Sequence, residues 1–275
     1  MSKQPISNKS IFAAMYHITQ IFIYLVKSLG AIALSEARIE ERGLQYDRRW
    51  MLCNEENKFI TQREFKELAL FKIQFDEKGF DINYLDALPL FIPFTIDGET
   101  EQVVVWDDTC EAIEYKKGSA WFSKMLSFSC KLFYMPNETK RKVDVKYATN
   151  NEITSFSDGS PILIVGQQSL NDLNNKLSET ITIDRFRPNL VFDGGTAFDE
   201  DQFVDFSINN VLLKGTKPCG RCEVVTINQT TAISGKEPLK TLASYRSKNN
   251  KVLFGRNVIV QQEGNIKIGD SIFLH

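Results

Sequence analysis

The sequence predicts a mainly β chain with some α, an α+β architecture of two closely joined barrel-like domains. Three observations lead there. A length of 275 residues exceeds what one hydrophobic core usually organises. Short β-branched and aromatic runs recur between turn signals along both halves. Only two stretches carry helical periodicity. With 43% hydrophobic and 25% charged residues, the chain has the apolar material for real cores, which excludes the disordered and fibrous classes.

Residues 1–17 read as an N-terminal arm, because polar Ser2-Lys3-Gln4-Pro5-Ile6-Ser7-Asn8-Lys9-Ser10 precedes one brief apolar turn. A first domain then spans residues 18–136. It opens on Gln20-Ile21-Phe22-Ile23-Tyr24-Leu25-Val26, a strand that delivers Lys27 and Ser28 to a turn. Further strands are expected over 33–39, 49–53, 71–75, 80–84, 91–96 and 103–106, broken by turns such as Glu41-Arg42-Gly43 and Asp97-Gly98. Ala120, Trp121, Met125 and Leu126 are spaced for one buried face of a helix over 118–126. The boundary falls near Met135-Pro136-Asn137.

The second domain, residues 137–275, begins with a polar stretch to Asn151. Ser157-Asp158-Gly159-Ser160-Pro161 then leads into the apolar strand Ile162-Leu163-Ile164-Val165. Ser169 is the expected cap of a helix over 170–177, with Leu170, Leu173 and Leu177 on one face. Strands are expected over 190–192, 211–214, 223–227, 258–260 and 271–274. There is no internal repeat and no low-complexity tract.

Thirty-three basic against 35 acidic side chains leave a net charge of −2, so no global field draws the chain to nucleic acid or to an anionic membrane. Any anion site must be local. The apolar stretch over 11–26 is interrupted by Tyr16, His17, Thr19 and Gln20, which argues against a membrane span, and its first turn is too short for a signal-peptide core. Five cysteines, at 53, 110, 130, 219 and 222, are odd in number and irregularly spaced. That pattern argues against a disulfide framework and for a reducing, cytoplasmic setting.

Two constellations carry chemistry. The first is Lys217-Pro218-Cys219-Gly220-Arg221-Cys222. A zinc knuckle needs four ligands, but no second CxxC exists and His17 and His275 sit at the ends. A thioredoxin-like pair needs a helix after its first cysteine, whereas Glu223-Val224-Val225-Thr226-Ile227 reads as strand. What remains is a pair of loop or strand-edge thiols beside Lys217 and Arg221, a cationic setting that favours thiolate. A thiolate is a soft metal ligand, and molybdenum held by a pterin dithiolene needs only one protein sulfur. Two plain thiols in a surface hairpin remain the alternative on spacing alone.

The second constellation places polar and basic residues at strand ends: Lys27 with Ser28, Asp47-Arg48-Arg49, Ser157 to Ser160, and Arg187 with Asn189. Arginine forks and turn hydroxyls hold a phosphate or the amide edge of a heterocycle through several directed donors. Taken singly, each is more often a solvated charge or a turn residue, and Lys66-Glu67 and Lys116-Lys117 read as plain surface. Competing mechanisms find little support. With histidines only near the ends a hydrolase lacks its base, and neither GxxxxGK[ST] nor GxGxxG occurs.

These pieces match a known family in order. Tyr24-Leu25-Val26-Lys27-Ser28, Leu34-Ser35-Glu36-Ala37, Gly43-Leu44 with Asp47-Arg48-Arg49-Trp50, Ser157-Asp158-Gly159-Ser160-Pro161 and Phe186-Arg187-Pro188-Asn189 come first. Cys219-Gly220-Arg221-Cys222, Glu237-Pro238-Leu239-Lys240-Thr241-Leu242 with Tyr245-Arg246, Phe254-Gly255 and Ile268-Gly269-Asp270 follow. Over residues 21–273 the chain resembles the MOSC family, a MOSC N-terminal β-barrel domain packed on a MOSC β-barrel domain.

The resemblance implies a molybdenum cofactor of the molybdopterin type, with Cys222 as the metal ligand and Cys219 as the fallback. It implies cofactor contacts at Lys27, Ser28, Arg48, Asp158, Ser160, Arg187, Asn189, Gly220 and Arg221, with Asp158 doubling as a catalytic proton relay. Gly159 stands where some relatives carry a hydroxyl. The implied activity is reduction of small N-hydroxylated substrates, amidoximes and hydroxylamines. Some relatives carry a fused iron–sulfur domain that this sequence lacks, so a separate electron-donor redox protein, flavin or iron–sulfur, is expected. The alternative is a cofactor carrier or sulfur-handling module, like part of the molybdenum cofactor sulfurases. Pyridoxal phosphate enters only by domain-level association, because no aminotransferase-like portion is present.

Overall fold

Strand β1 (His17–Ile23) buries Ile18, Ile21 and Ile23, and their uneven spacing has a structural cause. A register shift between Ile18 and Gln20 interrupts its antiparallel pairing with a later strand and re-aims the side chains. The computed structural model describes residues 16–275, so the arm expected over 1–15 lies outside the described residues. Tyr16 and His17, expected at the end of that arm, instead belong to the fold: Tyr16 packs edge-on against Phe192 and Phe203.

Strands β2 (Ile32–Leu34) and β3 (Glu36–Glu40) replace the single strand expected over 33–39. The chain changes sheets at Ser35, because β2 pairs with β1 while β3 joins the small sheet with β4 (Gly43–Leu44). Next come β5 (Trp50–Cys53), the hairpin strands β6 (Lys72–Phe75), β7 (Gly79–Asn83) and β8 (Leu90–Pro93), then β9 (Thr100–Val105) and β10 (Asp108–Glu114). Helix α1 (Lys116–Leu126) follows, and β11 (Lys131–Tyr134) closes a four-stranded sheet ordered β5-β11-β10-β9.

Helix α1 turns differently from the expected face. Gly118, Ser119 and Phe122 are buried, Trp121, Met125 and Leu126 are partly covered, and Ala120 points outward. The close approach of β11 decides this: a Cβ at Gly118 would lie 2.5 Å from Leu132 Cδ2, and Leu132 N donates to Ser119 Oγ at 2.9 Å.

In the second half, β12 (Arg141–Lys142) and β13 (Ile153–Thr154) form a short ladder ahead of β14 (Ile162–Gly166), α2 (Gln167–Asn174) and β15 (Leu190–Asp193). Ser169 is not the cap of α2. It sits inside the helix, fully buried, where its hydroxyl donates to Glu200 Oε2 at 2.7 Å and accepts from Phe198 N. Strands β16 (Asp205–Ile208) and β17 (Val211–Arg221), helix α3 (Leu239–Tyr245), and strands β18 (Ser247–Lys248), β19 (Lys251–Gln262), β20 (Gly264–Lys267) and β21 (Ile272–Leu274) complete the chain.

The strand expected over 223–227 is a 3-10 turn, Glu223–Thr226. Its β-branched residues fit a strand by propensity, but burial of Val225 in the second core cluster overrides that preference.

The main sheet runs β2-β1-β15-β14-β19-β17-β16-β21, with β18 beside β19. It is built from both halves: β1 lies antiparallel to β15, and β14 lies parallel to β15. Mainly strands with few helices, this is the α+β architecture read from the sequence. One consequence follows for stability. Phe192 is 1% exposed and packs on Tyr16 and Phe203 at the β1–β15 junction. Phe192→Ala is expected to cost about 3–5 kcal/mol by loss of burial and a residual cavity, measurable as a lower urea midpoint with an unchanged slope.

Candidate functional site

The end of β1 sets the site in place. Tyr24 is fully buried, and its hydroxyl donates to Pro188 O at 3.1 Å. Asp47, also fully buried, accepts from Tyr24 N at 2.8 Å and from Arg48 Nη1 at 2.6 Å. The guanidinium carbons of Arg48 and Arg187 lie 4.4 and 4.3 Å from the centroid of the Tyr24 ring. Arg48 also donates to Asn189 Oδ1 and to Arg187 O, which ties the turn after β4 to the segment before β15.

A cleft opens beside these groups. Lys27, Ser28, Arg48, Asp158, Ser160, Arg187, Asn189, Gly220, Arg221, Cys219 and Cys222 all line it. Every site residue expected from the sequence therefore faces one cavity, though they come from loops as far apart as residues 27 and 222. Four non-glycine residues of the lining, Ser28, Arg48, Trp106 and Arg187, hold left-handed backbone with φ of 72, 49, 57 and 51°. Such conformations cost roughly 1 kcal/mol or more per residue and persist where packing over-determines them.

The loop carrying Asp158 is fixed from behind. Buried Arg141 donates to the carbonyls of Ser155 and Ser157 at 2.8 and 2.6 Å and pairs with Asp108 at 2.8 Å. Lys27 Nζ, itself buried, donates to Phe156 O at 2.9 Å and to Asp158 Oδ1 at 2.5 Å. Trp106 Nε1 donates to the same carboxylate at 3.2 Å. The Asp158 side chain is 72% exposed, so burial disfavours its anion only weakly. The charge and hydrogen bond of Lys27, the Trp106 donor and the charge of Arg48 outweigh it and hold the carboxyl well below the ordinary aspartate range. Asp158 is an anion in the neutral range and accepts hydrogen bonds from Lys27 and Trp106.

Two other expected contacts are taken up by the fold. The Asn189 side chain is 1% exposed as a whole residue, accepts from Arg48 Nη1 and Leu163 N, and donates to Phe22 O. Arg221 donates through Nε to Phe254 O at 2.9 Å and through Nη1 to Phe186 O at 3.1 Å. Its Nη2, like Arg187 Nη2 and Ser160 Oγ, is buried with no hydrogen-bond partner among the described residues. Burial pushes the Arg187 guanidinium down to about 10, against the raising influence of Tyr24 and with a further lowering by Arg48. It stays a cation at neutral pH. Buried donors left without acceptors cost on the order of 1–3 kcal/mol each, and a ligand with several acceptor oxygens relieves that cost.

The thiols stand at the end of β17, where Cys219, Gly220 and Arg221 finish the strand and Cys222 leads into the 3-10 turn. Both are half-buried and free. The cation beside Cys222 is neither Lys217 nor Arg221, as expected from spacing. Lys217 lies over the Tyr147 ring at 3.9 Å, and Arg221 is clamped as described. Arg63, from the first half of the chain, donates through Nη2 to Cys222 Sγ at 3.4 Å and stacks over Trp106 at 4.6 Å.

The comparisons with known proteins agree with this layout. A family model described as the MOSC N-terminal beta barrel domain matches residues 15–129, and one described as the MOSC domain matches residues 151–273. Mitochondrial amidoxime-reducing component 1 from Mus musculus is 30% identical over 278 residues, covering 94% of this chain and 82% of that protein. The chain belongs to the MOSC family. Mitochondrial amidoxime-reducing component 1 from Homo sapiens is 29% identical, over 98% of this chain and 86% of that protein. Molybdenum cofactor sulfurase from Oryza sativa subsp. japonica is 28% identical over 87% of this chain but only 32% of its own length.

Sequence reading of this MOSC chain missed Thr61, Arg63, Trp106 and Arg185 in the cleft lining. The available signal was the polar run Thr61-Gln62-Arg63 directly after apolar Phe59-Ile60, the same strand-end pattern that pointed to Lys27 and Arg187. Gly159 has no atom within 4 Å of where a Cβ would sit, so this position has room for a side chain.

The Lys27–Asp158 pair sets a pH dependence. Because the folded-state pKa of Asp158 lies below its unfolded value, the stability it contributes is full above an unfolded aspartate pKa of about 4 and declines as pH falls toward the folded value. The melting temperature of Asp158→Asn should therefore trail the wild type by a constant interval from neutral pH to about pH 5, an interval that narrows below about pH 4. A gap that stays constant to pH 3 in thermal melts would contradict the depressed pKa.

Proposed function

We propose that the cleft holds a molybdenum cofactor of the molybdopterin type and that the chain reduces N-hydroxylated compounds, amidoximes and hydroxylamines. Electrons come from a separate redox protein carrying a flavin or an iron–sulfur group. The observation that carries this reading is the pairing, in one cleft, of a half-buried free thiol at Cys222 with buried unpartnered donors on Ser160, Arg187 and Arg221. A soft sulfur suits the metal, and the donors suit the phosphate and amide edges of a pterin. The names of the amidoxime-reducing relatives support the substrate class.

When bound, the cofactor supplies two-electron oxygen-abstraction chemistry that protein side chains lack. The residues do the rest. Cys222 offers one sulfur ligand, and the Arg63 hydrogen bond fixes that sulfur across the seam between the halves. Arg187 and Arg221 each present a buried Nη2 with no partner among the described residues, Arg221 held by its Nε and Nη1 bonds and Arg187 lying over the Tyr24 ring. Lys27 pairs with Asp158, and that carboxylate stands where it orients donors of the bound group or relays a proton. In the overall reaction one N–O bond breaks, two electrons arrive from the donor protein and two protons from water. The products are the amine or amidine and water.

The match to rice molybdenum cofactor sulfurase favours one alternative, a cofactor carrier or sulfur-handling module that does not turn over N-oxides. For localisation we propose a reducing, cytoplasmic setting, which the five free cysteines support. No helix among the described residues is long and apolar enough to cross a membrane.

The test is benzamidoxime reduction by protein purified from a cofactor-competent host, with a chemical electron donor and elemental analysis alongside. Cys222→Ala should lower molybdenum content by at least about tenfold and abolish turnover, while Cys219→Ala keeps both within about twofold. Unchanged turnover in Cys222→Ala refutes the ligand assignment. Full molybdenum loading with no turnover in the wild type selects the carrier.

A further inference from the structure

A second concavity adjoins the cleft with Arg63 as a shared wall. It lies along the same seam. One side is the segment Gln62, Arg63 and Lys66 of the first half, and the other is the 3-10 turn after Cys222 together with helix α3. Two hydrogen bonds cross its end, Gln62 Nε2 to Gln229 Oε1 at 3.0 Å and Lys66 Nζ to Ser234 Oγ at 2.6 Å.

The groove is chemically unlike the cleft. Its lining includes apolar Ile227, Leu239, Ala243 and Val252, and its volume of about 510 Å³ falls within the roughly 300–1,000 Å³ of small-molecule sites. Its rim is cationic. Lys66, Lys236 and Lys240 are exposed, and none has a carboxylate within ion-pair distance among the described residues. Glu237 is turned away, accepting from Thr241 N at 3.0 Å, which leaves Glu223 as the acid of the lining. An apolar floor under unpaired lysines complements a small molecule with an apolar body and a negative substituent.

We propose that this groove receives the body of the reducible substrate, an N-hydroxylated compound whose aromatic or alkyl body carries a carboxylate, while its N–OH end reaches past Arg63 to Cys222. This rests on the reductase reading above. The lysines recognise the carboxylate, the floor covers the apolar body, and Arg63 stands between groove and sulfur. Lys66, an ordinary surface residue by sequence, becomes part of a specificity surface.

Two measurements test it separately from the reductase reading. In the holoenzyme, the ratio of kcat/KM for 4-carboxybenzamidoxime to that for benzamidoxime should fall about fivefold in Lys236→Glu/Lys240→Glu, which corresponds to about 1 kcal/mol for the two exposed charges together. A ratio unchanged within twofold overturns the proposal. In ligand-observed saturation-transfer NMR, 4-carboxybenzamidoxime should give transfer with the wild type and lose it in Ala243→Trp, which fills the groove from an exposed helix position. Equal transfer in that variant, with its fold verified by circular dichroism, also overturns the proposal. If neither compound is turned over, the reductase reading fails. The NMR arm still decides whether the groove binds carboxylate-bearing N-hydroxylates.

Discussion

Two guanidinium groups stacked on one buried tyrosine ring are the interaction on which the rest of the site depends. Arg48 and Arg187 carry like charge and sit within 4.5 Å of the same ring centroid, an arrangement that repels unless something offsets it. The electron-rich face of Tyr24 and the buried carboxylate of Asp47 provide the offset. Asp47 pairs directly with Arg48, while Arg187 lines the cleft with a buried Nη2 that has no partner among the described residues. The same contacts join the end of β1 to the segment before β15, two strands that already pair in the main sheet. Folding the sheet and creating the cationic cleft are therefore one event.

Holding such a cluster in place requires unusual backbone. Ser28, Arg48, Trp106 and Arg187 adopt left-handed conformations, each disfavoured on its own. Carbonyl contacts compensate: Arg48 N bonds Tyr24 O, Phe156 N bonds Arg48 O, and Gln62 Nε2 bonds Ser28 O. These contacts hold Ser28 and Arg48 in place at the cleft wall. Asp158 follows the same logic. Lys27, Trp106 and Arg48 together favour its anion.

Much of this was legible in the sequence, and for a physical reason. Polar and basic residues at the ends of apolar runs mark where a strand delivers a side chain to a shared edge, and Lys27, Arg48 and Arg187 carry that mark. The partners that arrive from distant sequence carry weaker marks. Arg63 meets Cys222 across 159 positions, a contact set by how the halves pack and by no local period. The turn after Cys222 shows the opposite failure. Val224, Val225 and Thr226 prefer strand by local propensity, but Val225 must reach the second core cluster while the chain leaves the sheet, and a 3-10 turn does both. Ser169 misled in the same way, a good cap by type that is spent on Glu200 in the helix interior.

The placement of Cys222 draws these threads together. Its sulfur is held by a residue of the first half, yet its backbone ends a strand of the second. Neither half alone presents the thiol with its neighbouring cation. Arg63 in turn is oriented by stacking on Trp106, and Trp106 donates to Asp158, which pairs with Lys27 at the end of β1. A continuous chain of contacts thus runs from the sulfur through an arginine, an indole and a carboxylate to the strand that anchors Tyr24. The chain crosses between the halves at Arg63–Cys222, at Trp106–Asp158 and at Lys27–Asp158. Arg63 also walls both the cleft and the adjoining groove, so the residue that fixes the sulfur also sets the passage beside it. Alignment of the halves is what sets the thiol beside its neighbouring cation.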